Sequence, residues 1–203
     1  GVLSTLETLR KKVEVENEGI RKEVLKYDMV IEQQRQVIFG WRRRLLGTSA
    51  EEVEQLVEEM LSDVGEDLEH RHFSGEDTLD LERYEDFAAE VEGRFDLEFD
   101  LEQISDPDHW SPALFREEAQ QRLQASYAEN RDAVDLELRV EAARQVLLAT
   151  IDELWTEHLT VLEQVDEAIG LRSYAERDPL VEFRREGGLL FHDLLREIRL
   201  SAM

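Results

Sequence analysis

Apolar residues recur along the first part of the chain at Leu6, Val13, Ile20, Val24, Tyr27, Ile31, Ile38, Trp41 and Leu45, with Leu9 between the first two. From Ile20 the steps are four, three, four, then seven across Gln34, three and four. That is the spacing of one helical stripe held nearly in heptad register. The pattern predicts a single helix of about forty residues, roughly 60 Å long at 1.5 Å per residue. A small globular domain cannot wrap such a length, so the helix is expected to act as a spine for several packed elements. Gly19 and Gly40 lie inside it, and each should cost about 1 kcal/mol relative to alanine unless close packing requires it.

Gly47 is expected to end the spine, and Ser49 with Glu52 forms a capping-box pattern that opens a helix carrying Val53, Leu56, Val57, Met60, Leu61 and Val64. A polar break is expected over 63–77. Leu81, Tyr84, Phe87, Ala88 and Val91 predict a further helix over about 79–92. After Gly93 the residues Phe95 to Leu101 alternate apolar and acidic. A lone strand has no partner elsewhere in the chain, so an extended loop is expected. Ser111 followed by Pro112 predicts a cap and a first-turn proline for a helix to about Asn130.

A second long helix is expected over about 134–169, presenting Leu138, Ala142, Val146, Ala149, Leu154, Leu159, Leu162, Val165 and Ile169, and a third from Pro179 to about Leu200. Gly170 reads as a helix stop, and Asp178 with Pro179 as the start of the next helix. Between them, Leu171, Arg172, Ser173 and Tyr174 bring a large apolar side chain, a cation and an aromatic into a turn whose exposure to solvent does not require them. The tip is therefore the candidate contact site. Long helices joined by a short loop pack antiparallel, and the spine's stripe supplies a third partner. The expected fold is all-α: a long spine helix packed with an antiparallel two-helix hairpin, plus an inserted small helical unit. Residues 1–46 and 134–203 would form a discontinuous scaffold around the insert at 47–133. Gly187-Gly188 in the last helix reads either as a place of close backbone approach or as local flexibility.

Composition narrows the functional classes. Of 203 residues 36% are charged, and the net charge is −25. Residues 1–46 carry 10 basic and 7 acidic groups, 47–133 carry 6 and 27, and 134–203 carry 8 and 15. Binding nucleic acid needs clustered cations, and the basic run Arg42-Arg43-Arg44 complements the dipole at the end of the spine helix. The acidic insert reads as a solvated face, with selection of a basic partner as the alternative. No apolar run approaches a membrane span and no signal-peptide pattern opens the chain, which leads to the expectation of a cytoplasmic protein. The chain opens on Gly1, as expected of a segment excised from a longer one. With no cysteine, disulfides and thiolate metal sites are excluded.

Catalytic patterns are missing. None of the ten glycines precedes a lysine and no G-x-x-x-x-G-K-[ST] pattern occurs, so the chain itself is not expected to hydrolyse ATP. Glu69 and His72 make one Glu-x-x-His pair beside His70, but a carboxylate-bridged metal centre uses two such pairs, and no metal is expected. His158, beside Trp155 and Leu154, reads as a packing histidine. Trp110, after His109, is expected to pack within the insert.

The run Ile151-Asp152-Glu153-Leu154-Trp155-Thr156-Glu157-His158-Leu159, followed by Gly170-Leu171-Arg172-Ser173-Tyr174 and Arg177-Asp178-Pro179-Leu180, resembles the two-helix finger of SecA, the bacterial preprotein-translocation ATPase family. Lys12-Val13-Glu14, then Ile20 to Asp28 and Gln34-Arg35, resemble the long helix of that family's helical scaffold domain. The resemblance covers roughly 10–46 and 138–197, and the middle corresponds in position and helical character to the family's helical wing. Glu18, Met29 and Gly188 stand where the family usually has an aromatic, a second acidic residue and a bulky residue. The resemblance implies a helical scaffold domain at 1–46 and 134–203, with its finger at about 138–200 and tip at 170–178, and a wing at 47–133.

The function this implies is non-catalytic: coupling ATP-driven motor motion to movement of an unfolded preprotein into the SecY channel. Leu171, Arg172, Ser173 and Tyr174 would touch preprotein and channel at the tip; alternatively Tyr174 folds back over Leu171 and Ile169. Asn17, Arg21, Tyr27 and Asp28 would couple the spine to the motor domains; alternatively Arg21 only pairs along its helix with Asp28, Glu14 or Glu18. ATP and magnesium would belong to motor domains outside this chain, which itself would hold no cofactor. Location would be cytoplasmic and peripheral at the inner face of the cell membrane, with a homodimer left open. The rival reading is a free-standing helical interaction protein derived from the same scaffold and lacking a motor.

Overall fold

The computed structural model describes residues 2–47, 49–74, 81–104, 107–172 and 178–202, and the backbone alone at 2–9, 12–17, 19–24, 102–103, 132 and 171–172. The fold is all-α. Its helices are α1 (Val2–Gly47), α2 (Ala50–Phe73), α3 (Leu81–Phe95), the single turn α4 (Leu101–Ile104), α5 (Pro112–Ala133), α6 (Leu136–Arg172) and α7 (Pro179–Ala202), with a short 3₁₀ turn at Pro107–His109. Among the described residues there is no strand. The chain forms two compact units, one from Gly1–Gly40 and Thr156–His192, the other from Trp41–Trp155 and Asp193–Met203.

The second unit is built around α2, α3 and α5. Ser49 caps α2 as expected: its side chain accepts from the Glu52 N–H while the Glu52 carboxylate accepts from the Ser49 N–H. The expected polar break over 63–77 is corrected, because α2 continues to Phe73 with Val64, Gly65, Asp67 and Leu68 all buried. Two distant side chains keep it helical. The Gln120 amide of α5 accepts from the Gly65 N–H at 2.9 Å and donates to the Leu61 carbonyl at 2.8 Å, so it sits against the α2 ladder at the helix crossing. A methyl on Gly65 would meet Gln120 Oε1 at 2.8 Å and the Arg116 carbonyl oxygen at 3.1 Å. Asp67, 3% exposed, accepts from Arg199 of α7 at 2.5 and 2.7 Å.

Aromatic rings fill this unit's core. Phe87, Phe99 and Phe115 are fully buried, with Tyr84 and Trp110 at 4.6 and 5.3 Å from the Phe115 ring; Trp110 packs as expected. Phe99 explains the alternating segment. It is neither strand nor helix: Asp96 turns the chain with φ 52°, and the Phe99 N–H is held by the Glu92 carboxylate at 3.1 Å. Ser111 caps α5, with Pro112 in its first turn.

α6 departs from expectation in phase. Leu138, Ala142, Val146 and Ala149 are exposed, whereas Val140, Leu147, Ile151, Trp155, His158, Leu162 and Ile169 are buried. Steps of seven, four, four, three, four and seven still trace one helical face. Apolar residues on both sides of α6 make the two phases compete in the sequence, and packing chooses between them.

Candidate functional site at the helical hairpin

The first unit combines α1, the C-terminal part of α6 and most of α7. Its core holds Val30, Leu162, Ile169 and Phe183, with Tyr27, Ile31, Val165 and Leu190 packed against it. The contact pairs give the helix directions. Leu162 lies opposite Gly187 and His158 meets Phe191, ring centroids 5.9 Å apart, so α6 and α7 run antiparallel. Gln34 reaches Gly187 while Tyr27 stacks at 5.0 Å on Phe183, so α1 runs parallel to α7.

Start signals for α7 are those read from the sequence. The Asp178 carboxylate accepts from the Leu180 N–H at 3.0 Å, and its carbonyl accepts from Val181 and Glu182. Pro179 takes the first helical position, where its missing N–H would have had no partner. At the other side of the turn the expectation is corrected: Gly170 does not stop α6, which runs through Leu171 to Arg172. Gly170 is exposed, and a methyl there would meet nothing within 4 Å. Its helix penalty of about 1 kcal/mol relative to alanine is too small to end a long helix whose next residues, Leu and Arg, favour continuation.

Leu171 and Arg172 thus belong to the last turn of α6, with side chains outside the described residues, and Ser173 and Tyr174 lie outside the described residues altogether. Of the four spine positions, Asn17 and Arg21 are on α1 with side chains outside the described residues, Asp28 is exposed, and Tyr27 is half-buried against Phe183.

One constellation escaped the sequence, where Gln34 stands as a gap in the apolar stripe and, with Arg35, in the scaffold resemblance, and His158 as a packing histidine, with nothing to join the two. Gln34 is 6% exposed and so is His158. Gln34 Oε1 lies 2.8 Å from His158 Nε2, and Gln34 Nε2 donates to the Gly187 carbonyl oxygen at 2.9 Å. One amide thereby ties all three helices together. With Gln34 Oε1 as acceptor, the proton sits on Nε2 of a neutral imidazole. Burial disfavours the imidazolium and holds the His158 pKa below its usual value. Gly187 is where the close approach occurs: a methyl would come to 3.3 Å from Leu162 Cδ2, whereas at Gly188 it would meet nothing within 4 Å. The available signal was an i, i+3, i+4 stripe that stays in register through a glutamine.

The Glu-x-x-His pair on α2 has other partners. Glu69 accepts from Arg116 at 2.9 Å, and His72 lies 2.6 Å from Glu90. Arg71 and Arg94 each bridge Glu90 and Glu197. The hydrogen bond to His72, above all, holds the Glu90 pKa below the usual carboxylate range. Among the described residues no helix is long and apolar enough to cross a membrane.

With α1, α6 and α7 packed together and α2 to α5 lying between α1 and α6 in sequence, the fold defines the class: an all-α helical scaffold. The sequence model of the SecA wing and scaffold domain matches residues 2–203, and the chain belongs to that family. It is 34% identical over 203 residues to the protein translocase subunit SecA of Saccharopolyspora erythraea, with 98% of this chain and 21% of that protein covered. The SecA subunit of Bartonella bacilliformis is 34% identical over 194 residues, covering 96% and 21%. That of Beijerinckia indica is 31% identical over 194 residues, covering 96% and 20%. The chain spans about a fifth of the length of these curated relatives.

Proposed function

We propose that this chain is the scaffold and wing portion of a SecA-type protein translocase, passing the ATP-driven motion of motor domains outside it to an unfolded preprotein at the SecY channel. The three-helix mount carries the reading beyond family membership. α6 and α7 are held on α1 by an apolar core and by Gln34, so a displacement of the spine would be delivered to the hairpin end rather than dissipated in sliding. At that end Leu171, Arg172, Ser173 and Tyr174 touch the preprotein and the channel mouth. An aromatic ring with a hydroxyl gives contact area to any passing sequence without selecting one.

Asn17, Arg21 and Asp28 meet the motor along α1, and Tyr27 supports them from the packed side. The motor binds ATP and magnesium; the helical scaffold is 1–46 with 134–203, and the wing is 47–133. The assembly works from the cytoplasm as a peripheral partner of the membrane channel. The test is Tyr174→Ala in the full-length protein. Preprotein transport into membrane vesicles is expected to fall several-fold with helix content unchanged, and transport at the parental rate would overturn the role given to the tip.

A further inference from the structure

We propose that Gln34, His158 and Gly187 form a register lock: they fix which turn of the α6–α7 hairpin sits against which turn of α1. The apolar contacts alone do not do this. Along α1 the residues Tyr27, Ile31 and Ile38 follow one another at four and seven, and the facing residues Leu162, Val165 and Ile169 of α6 repeat at three and four. Such surfaces fit again, almost as well, after a slip of one turn or one heptad. A polar group buried in an apolar seam removes that degeneracy, because only one register gives it a partner.

Among the described residues, the buried polar side chains of the first unit are the Gln34 amide and the His158 imidazole, 124 residues apart in sequence, and they meet at 2.8 Å. The other end of the amide finds the Gly187 carbonyl oxygen at 2.9 Å, on the α7 turn where an added methyl would come to 3.3 Å from Leu162 Cδ2. In any slipped register the amide and the imidazole would be buried against leucine, valine or isoleucine with their hydrogen bonds unmade.

The 203-residue chain tests the lock directly. It has no cysteine, so Gln36→Cys and Glu167→Cys, both at exposed positions, place a spin label on α1 and another on α6. The parent is expected to give one narrow distance distribution. Adding Gln34→Leu with His158→Leu keeps the seam apolar and removes the lock, and a second population displaced by roughly 5 or 10 Å, one turn or one heptad, is expected. A single unshifted distribution in that variant would overturn the proposal. If the doubly apolar variant loses helix by circular dichroism, moving the amide one turn along the stripe with Gln34→Leu and Ile38→Gln decides: the distance should follow the amide, and an unmoved distance overturns the lock.

Its consequence for transport rests on the proposed function. In the full-length protein the unlocked variant is expected to move preprotein several-fold more slowly. Slipped distances with transport at the parental rate would leave the lock standing and count against the transport reading instead.

Discussion

Gln34 Oε1 and His158 Nε2, both buried, meet at 2.8 Å, and removing either takes away the other's hydrogen-bond partner in this pair. Gln34→Leu alone orphans the His158 N–H, which costs about 1–3 kcal/mol for a buried donor. His158→Leu alone orphans the amide oxygen by the same argument. The double variant removes both needs and should be less destabilised than the sum of the two. Amide hydrogen exchange in α6 and α7 reads this locally, where global unfolding of a two-unit chain would blur it. Additive effects would mean that the pair is not coupled.

The same burial makes the hairpin mount sensitive to mild acid. The folded pKa of His158 is lowered, so between its unfolded value of about 6.5 and that lower folded value the unfolded chain binds a proton that the folded chain does not. Stability contributed by the neutral imidazole is therefore full above about pH 6.5 and is lost as the pH falls toward the folded pKa. Exchange protection in α6 and α7 should drop between pH 7.5 and 5.5. His158→Gln, which cannot titrate, should flatten that dependence, and an identical slope in the variant would refute the assignment. Glu90 and Glu197, whose pKa values are lowered, act in the opposite unit and only at lower pH. They lose their contribution below the ordinary carboxylate range, as the pH falls through their folded values.

Glycine substitutions separate close approach from mere tolerance. At Gly65 an added methyl meets Gln120 Oε1 at 2.8 Å and backbone at 3.1 Å, so Gly65→Ala must push α2 and α5 apart and break the Gln120 bridge, at about 1–3 kcal/mol as for other overpacked sites. Gly188→Ala meets nothing and should stabilise α7 by up to about 1 kcal/mol through helix propensity. Gly187→Ala lies between, because Leu162 Cδ2 at 3.3 Å can give way. Thermal melts should place Gly65→Ala lowest, Gly187→Ala between and Gly188→Ala highest, and a stabilising Gly65→Ala would contradict the crossing geometry.

How far the sequence disclosed this fold depends on whether the determining contacts are local. Caps are local, and the starts of α2, α5 and α7 were legible from Ser49 and Glu52, Ser111 and Pro112, Asp178 and Pro179. The continuation of α2 past residue 63 was not. Gly65 and Asp67 look like helix breakers until Gln120 and Arg199, 55 and 132 residues away, supply their partners. The buried phase of α6 was hidden because Leu138 and Val146, 65% and 48% exposed, are as apolar as the residues that pack. On the two sides of the tip the start of α7 was legible from Asp178 and Pro179, but Gly170 placed the end of α6 two residues too early. Gln34 was the least legible of all, since a glutamine in a stripe looks like noise until its partners on two other helices are in place.

The contact of Asp67 with Arg199 offers the most severe test of the second unit. Asp67 is 3% exposed and accepts both Nε and Nη2 of Arg199, with Arg196 Nε at 3.8 Å as its other cation. A buried ion pair adds little beyond an apolar pair of the same shape, yet removing one partner leaves a charge in a medium that cannot solvate it. Arg199→Met should therefore cost about 3–5 kcal/mol, whereas the double variant with Asp67→Leu should recover most of that loss. Trp110 packs on Phe115 in this unit's core, so its fluorescence, read with Trp41→Phe and Trp155→Phe in the background, follows urea unfolding of this unit. Equal losses in the single and double variants would show that Arg199 stabilises the unit through its packed stem rather than by neutralising Asp67.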